Sequence, residues 1–275
     1  MKIVFFGASK FVIPLIEMLN SNFDLALVVT TESDQNDTVP SFCKKNNIPC
    51  LSIKSISNAL EEIESKNAEL GVLAYFGLLL PKELLNAFPK GILNIHPSLL
   101  PKYRGATPVQ TAILNGDAET GVTIIKLDEE LDHGSILAQV KEKINPDDSL
   151  ASLHDRLFTK GTEMLKEIIP QYLNDKIKLQ DQKHEDATLT ERNLTRESGF
   201  VDFENPPDKQ KLDRMIKAYY PWPGVWTNLK IKDKEIRIKF LPENKLQVEG
   251  KKPVSIKDFI NGYPELKEKI GKIMQ

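Results

Sequence analysis

A chain of 275 residues, 40% hydrophobic and 28% charged, is long enough for one large domain or two and has the composition of an ordinary globular protein. No run approaches the roughly 18 uninterrupted apolar residues of a membrane span, and Gly7 breaks the opening apolar run too early for a signal peptide, so a cytoplasmic protein with no membrane partner is expected. The two cysteines, Cys43 and Cys50, have no second Cys or His pair at short spacing, which argues against a disulfide framework or a metal module and for reduced thiols.

The net charge of −2 is unevenly spread: from Asn205 onward there are 16 Lys and Arg against 9 Asp and Glu, a net of +7, and the remainder carries 21 against 30, a net of −9. A basic tail suits a polyanionic partner, with a lysine-rich solvated surface as the plain alternative. In chain order, Lys2–Phe6 reads as a first core strand, followed by a helical recurrence of Val12, Ile13, Leu15, Ile16 and Leu19. Leu25–Val29 reads as a second strand, Ile56, Leu60 and Ile63 as one face of a helix, and Leu70–Tyr75 as a third strand. Ile92–Ile95 follows as a fourth strand, Val109–Leu114 as a helix and Val122–Leu127 as a fifth strand. This alternation predicts an α/β domain with a mostly parallel sheet and helices on both faces. Ser149–Asn174 reads as one long helix with Asp148 or Ser149 as its cap. The stretch 179–204 is polar and weakly periodic, as in a linker. Beyond it, Leu229–Ile231, Ile236–Phe240 and Leu246–Val248 alternate as short strands of a small β-rich second domain. The expected division is therefore 1–178, a linker at 179–204, and 205–275.

Gly7 ends the first strand, but Gly7-Ala8-Ser9-Lys10-Phe11 has neither dinucleotide-fingerprint nor P-loop spacing, which disfavours an NAD enzyme or an ATPase. More information lies between Asn94 and Gly134. Asn94 and His96, two apart near the end of a strand, share one face and point into the crevice where open α/β sheets bind ligands. Asp132 sits in the tight turn Leu131-Asp132-His133-Gly134 before another strand. An amide, an imidazole and a carboxylate converging there can stabilise an oxyanion and manage a proton. Each also has a plainer reading: a structural histidine, an aspartate that forms a turn, and an asparagine that satisfies backbone groups. The residues alone leave the two readings about even.

The run Asn94-Ile95-His96-Pro97-Ser98-Leu99-Leu100-Pro101-Lys102-Tyr103-Arg104-Gly105 closely resembles the signature of the folate-dependent formyltransferases. Gly116-Asp117, Glu119-Thr120-Gly121-Val122-Thr123 and Leu131-Asp132-His133-Gly134 extend the match in order. Phe5-Phe6-Gly7-Ala8-Ser9-Lys10-Phe11 with Pro14, Leu73-Ala74-Tyr75-Phe76-Gly77 with Leu80-Pro81, and Pro221-Trp222-Pro223-Gly224 are most similar to the methionyl-tRNA branch. Leu212-Asp213-Arg214, Ala218, Lys251-Lys252-Pro253 and Asp258-Phe259 carry that likeness nearly to the end of the chain. The resemblance implies a Rossmann-like formyltransferase domain and an abbreviated, OB-like C-terminal domain that meets tRNA. It implies 10-formyltetrahydrofolate as co-substrate, initiator Met-tRNA as acceptor, no metal, and a monomer.

The same resemblance implies that Asn94, His96 and Asp132 are catalytic. Leu73, Ala74, Tyr75, Phe76, Gly77, Ser98, Leu99, Leu100 and Pro101 are implied to bind the folate. Two departures stand out: the stretch 31–39 is short and acidic where the branch carries a long basic loop, and the C-terminal domain is shortened. A sugar-nucleotide N-formyltransferase with the same donor is the nearest rival. A glycinamide ribonucleotide formyltransferase needs no second domain, and a non-catalytic folate- or tRNA-binding protein needs no catalytic set.

Overall fold

The computed structural model describes residues 1–32, 38–191, 193–231 and 234–274. Its elements run β1 (Lys2–Phe6), α1 (Ile13–Asn22), β2 (Asp24–Thr31), α2 (Thr38–Lys45), β3 (Cys50–Ile53), α3 (Leu60–Ser65), β4 (Leu70–Leu73), α4 (Lys82–Asn86), β5 (Ile92–His96) and α5 (Pro108–Asn115). There follow β6 (Glu119–Lys126), β7 (Ile136–Lys143), α6 (Leu150–Leu173), α7 (Lys209–Tyr219), β8 (Val225–Ile231), β9 (Lys234–Leu241), β10 (Lys245–Val248), β11 (Val254–Ser255), α8 (Ile256–Gly262) and α9 (Lys267–Met274). The chain forms two compact units, one of 1–106, 120–143 and 154–190, the other of 107–119, 144–153 and 191–275.

The first unit is built on a seven-stranded sheet in the order β3-β2-β1-β4-β5-β6-β7. Strands β3, β2, β1, β4 and β5 are mutually parallel, and β6 runs antiparallel to β5. The expectation of a mostly parallel α/β sheet holds. The hydrophobic run of β6 specifies burial on both faces but not direction, so its reversal is not visible in the pattern. The alternation of β1 divides the core. Ile3 and Phe5 face one cluster with Leu15, Ile16 and Leu19 of α1 and Leu165 and Ile169 of α6. Val4 and Phe6 face a second with Leu27, Ile63, Leu84, Phe88 and Ile92. Two-sided burial explains why these strands read as continuous apolar runs.

From β1 the chain moves outward to β2 and β3, then returns to place β4 on the other side of β1. This reversal opens a crevice beyond the carboxyl ends of β1 and β4, the place where such sheets take ligands. The helix expected around Ile56–Ile63 is a 3-10 turn at Ile56–Asn58 followed by the six-residue α3. The short elements α2, β3 and α4 were not marked: the two helices span eight and five residues, about two turns or less, and β3 is four residues with only Ile53 buried.

In the second unit β11, β10, β9 and β8 form a four-stranded antiparallel sheet in that order, as the β-rich expectation required. Helices α7, α8 and α9 were not anticipated. Asp208 caps α7 by accepting the Lys211 N–H at 2.7 Å, and Ser255 caps α8 by accepting from Asp258 at 3.1 Å. The cap of α6 is Ser149, whose hydroxyl accepts from the Ser152 N–H at 3.2 Å while the Ser152 hydroxyl accepts from Ser149 at 3.0 Å. Of the acidic stretch 31–39, residues 33–37, including Asp34 and Asp37, lie outside the described residues; Thr31 ends β2 and Thr38 begins α2.

Candidate active site

Strand β5 is buried throughout, and its alternation sets the site. Leu93 and Ile95 enter one core cluster, Ile92 enters the other, and Asn94 and His96 therefore lie on the Ile92 side, two residues apart. Both polar side chains are buried, at 6% and 4% exposure, so their hydrogen bonds must come from nearby protein or a ligand. The His96 Nε2 lies 2.9 Å from the Tyr103 carbonyl oxygen. Because a carbonyl only accepts, Nε2 carries the hydrogen, and in the neutral ring Nδ1 is a lone pair. That Nδ1 faces Asp132 Oδ1 at 3.5 Å. The Asn94 amide donates to the same Oδ1 at 3.3 Å, and its nitrogen carries a second N–H.

Asp132 reaches this pair from the loop between β6 and β7. Its backbone is left-handed, with φ of 48°, a conformation that aspartate tolerates better than most residues. Its other carboxylate oxygen accepts the Gly105 N–H at 2.8 Å. Gly105 itself has φ of 114°, which a side chain would strain. Gly134 lets the turn close against β6, since a Cβ there would meet the Lys126 carbonyl oxygen at 1.8 Å. Two of the three residues singled out in the sequence, Asn94 and His96, thus converge on one carboxylate oxygen of the third, Asp132.

The two segments expected to face a ligand differ in what they expose. Leu73 ends β4 and is half-buried, Ala74 is buried, and the Phe76 ring packs in the core 5.5 Å from that of Phe6. Tyr75 and Gly77 have left-handed backbones, φ of 54° and 78°, and are exposed. The Tyr75 carbonyl accepts the Ala8 N–H at 2.8 Å, tying this loop to the end of β1. Gly7 serves the same approach, because a Cβ would lie 2.7 Å from the Ala74 carbonyl oxygen. Below Tyr75 sits His154, 1% exposed, its ring 4.3 Å from Phe11, 4.4 Å from Phe158 and 4.9 Å from Tyr75. Neither of its ring nitrogens has a hydrogen-bond partner among the described residues, and burial pushes its pKa down to about 4.

In the second segment, the Ser98 hydroxyl donates to the Lys102 carbonyl at 2.6 Å and is spent internally. Leu99 is half-buried, Leu100 is buried with its N–H on the Thr123 hydroxyl at 3.2 Å, and Leu100–Pro101 is a cis peptide. The side chains of Phe76, Ser98 and Leu100 are therefore taken up within the protein. The open depression of ≈ 420 Å³ lined by Lys82, Phe88, Leu127, Asp128 and Glu129 does not include Asn94, His96 or Asp132. Among the described residues no three or more His, Cys, Asp or Glu are grouped to hold a metal ion, and no helix is long and apolar enough to cross a membrane.

Residues 1–169 match the family model described as formyl transferase. The chain belongs to the formyl transferase family. It is 37% identical over 239 residues to the methionyl-tRNA formyltransferase of Roseiflexus sp. (strain RS-1), covering 82% of this chain and 73% of that one. It is 34% identical to that of Caldanaerobacter subterraneus subsp. tengcongensis, covering 82% and 76%. Among solved structures, a 4-N formyltransferase from Francisella tularensis superposes with a TM-score of 0.71 at 20% identity over 87% of this chain and 97% of that one. A sugar 3N-formyl transferase, WlaRD, solved with dTDP and 5-N-formyl-THF, gives 0.66 at 20% identity over 92% and 99%. At that identity these two structures share the fold.

This formyl transferase also holds Gln182 and His184 at the site, two residues that no motif marked. Arg104, 8% exposed, donates from Nε and Nη2 to the Gln182 side-chain oxygen at 3.1 and 2.7 Å, and its Nη2 lies 2.8 Å from His184 Nδ1. The His184 ring stacks on His133 at 3.9 Å, and His133 Nδ1 lies 2.7 Å from Asp128 Oδ2. Gln182 and His184 fall in a polar stretch without periodicity, so nothing local to the sequence pointed to them.

Proposed function

We propose that the chain transfers the formyl group of 10-formyltetrahydrofolate to the α-amine of methionyl initiator tRNA, in the cytoplasm and as a monomer, for translation initiation. The observation that carries the chemistry is the convergence of Asn94 Nδ2 and His96 Nδ1 on Asp132 Oδ1, at 3.3 and 3.5 Å, at the end of β5. The donor set fits a formyl-folate: a buried amide and an imidazole, each within 3.5 Å of one carboxylate oxygen. The bound folate supplies a formyl carbon on a nitrogen leaving group. Tyr75, Gly77, Leu99 and the backbone of Leu73, Ala74, Phe76, Ser98, Leu100 and Pro101 would hold it.

The chain's own part follows from hydrogen-bonding capacity. Asn94 donates its second N–H to the oxygen that gains negative charge as the amine adds, a contribution of about 3 kcal/mol for one well-placed donor. Asp132, anchored by the Gly105 N–H, accepts a proton from the attacking amine. His96, fixed by Tyr103 through Nε2, shares that proton with Asp132 at Nδ1, and the proton passes to the folate nitrogen as its bond to the formyl carbon breaks, so that the charged oxygen returns to a carbonyl and tetrahydrofolate leaves.

The acceptor is argued from the relatives at 34–37% identity, all named methionyl-tRNA formyltransferases, and from the net +7 over residues 205–275. In this reading 1–178 is the catalytic domain, 179–204 the connection and 205–275 the tRNA-binding part. A sugar-nucleotide amine is the second reading, favoured by the fold shared with sugar formyltransferases along 92% of the chain and by the acidic stretch at 31–39. The test supplies formyl-labelled 10-formyltetrahydrofolate with charged initiator Met-tRNA, free methionine and an amino-sugar nucleotide as parallel acceptors. Label on Met-tRNA alone is expected. Label on the sugar refutes the tRNA reading and keeps the chemistry, and donor left unconsumed in every arm refutes both.

A further inference from the structure

Residues 180–190 are bonded to both loops that hold the site. At one end Gln180 exchanges backbone hydrogen bonds with Ile136, at 2.7 and 3.0 Å, and the Ser135 hydroxyl donates to Asp181 at 3.0 Å. At the other end the Arg104 N–H donates to the Thr188 carbonyl at 2.8 Å, and Thr190 donates to the Arg104 carbonyl at 2.8 Å. The Tyr103 N–H also donates to the Thr188 hydroxyl at 2.9 Å. The loop held at this end supplies the Tyr103 carbonyl that orients His96 and the Gly105 N–H that anchors Asp132.

Gln182 joins the two ends. It is 5% exposed and directs its amide nitrogen to the carbonyls of Asp132 and Gly134, at 2.9 and 2.8 Å. Its oxygen takes two N–H groups of Arg104. Two donors and two acceptor lone pairs are thereby all used. The guanidinium is buried against the glutamine oxygen and lies 2.8 Å from the His184 Nδ1, so the loss of Gln182 leaves a buried polar group unmet. A side chain that only filled space here would be apolar.

We propose that Gln182, clamped by Arg104, is a positioning residue for formyl transfer. It fixes the left-handed Asp132 turn from behind, so that the carboxylate meets Asn94 and His96 at the distances above. The proposal rests on the reading of those three residues as the catalytic set. Residue 182 lies beyond the 1–169 span of the family match, so the strap is a part of the site outside the matched region.

The test compares the full-length protein with Gln182→Glu. Glutamate keeps an acceptor for Arg104 and loses the donors to Asp132 and Gly134. For Gln182→Glu a fall in kcat of roughly 10- to 100-fold is expected, with donor KM within about twofold and a native circular dichroism spectrum, as for a catalytic group displaced by a fraction of an ångström to an ångström. In an Asp132→Asn background the same change should cost little more, because Gln182 acts through Asp132. A kcat within about twofold of wild type, or a full multiplicative loss in the double variant, overturns the proposal. A second readout needs no turnover: the ¹⁵N resonances of the His96 ring in the free protein should move in Gln182→Glu, and unmoved resonances also overturn it. A wild-type protein that formylates no amine would instead bring down the catalytic reading, and the His96 resonances would still decide whether Gln182 sets the geometry.

Discussion

Replacing His154 with phenylalanine isolates one contribution to acid stability that the structure makes large. The imidazole is buried among Phe11, Tyr75 and Phe158 with no hydrogen-bond partner for either nitrogen among the described residues. Its pKa is lowered by burial from 6.5 to about 4. As pH falls below 6.5 the unfolded chain takes up the proton first, so the stability present at neutral pH declines until the folded value near 4 is passed. The gap between those values converts to roughly 3 kcal/mol at about 1.4 kcal/mol per pH unit. Most of it, about 2.5 kcal/mol, should already be lost at pH 4.5. Phenylalanine has nothing to protonate. Chemical denaturation of both proteins at pH 8, 6 and 4.5 should show the wild type losing about 2.5 kcal/mol more than the variant across that range. Carboxylates titrate in both proteins and cancel in the difference, as does any fixed cost of fitting the larger ring. Parallel losses in the two proteins would refute the argument that His154 is held neutral by its surroundings.

Three further outcomes are expected. Asn94→Ala, His96→Ala and Asp132→Asn should each lower formyl transfer by roughly 10²- to 10³-fold while circular dichroism stays native, and a folded His96→Ala protein with normal turnover would remove His96 from the proposed set. Gly134→Ala forces a methyl group to within 1.8 Å of the Lys126 carbonyl oxygen, so the Asp132 turn must shift. A melting transition lowered by an amount worth roughly 3 kcal/mol and a larger fall in kcat than in donor affinity should follow. Glu142 is held below its ordinary carboxylate value chiefly by the Lys160 ammonium and also by the Arg156 guanidinium. Its contribution is therefore present above pH 4.5 and lost as pH falls through the depressed folded value. Glu142→Gln should cost about 1–2 kcal/mol at pH 7 by urea denaturation, with the two proteins converging in acid.

What the sequence by itself determined is the part written in long periods and ordered motifs. The two-sided burial of β1 and β5, the helical stripes of α1 and α6, and the alternation of β9 each persist long enough to define a period, so they were legible without coordinates. Asn94 and His96 were legible as a pair because strand geometry alone puts residues two apart on one face. Asp132 was legible as a turn carboxylate and was joined to Asn94 and His96 chiefly by the order of the motifs, since no local rule brings it to β5 from 38 residues away. Only the tertiary structure decided that Asn94 and His96 meet at one carboxylate oxygen of Asp132, that β6 runs opposite to β5, and that the polar stretch 180–190 ties the two site loops together. The physical reason is common to all three. Burial pattern is a property of neighbouring residues along the chain, whereas strand direction and the pairing of Gln182 with Arg104 and Asp132 depend on long-range contacts that leave no period behind.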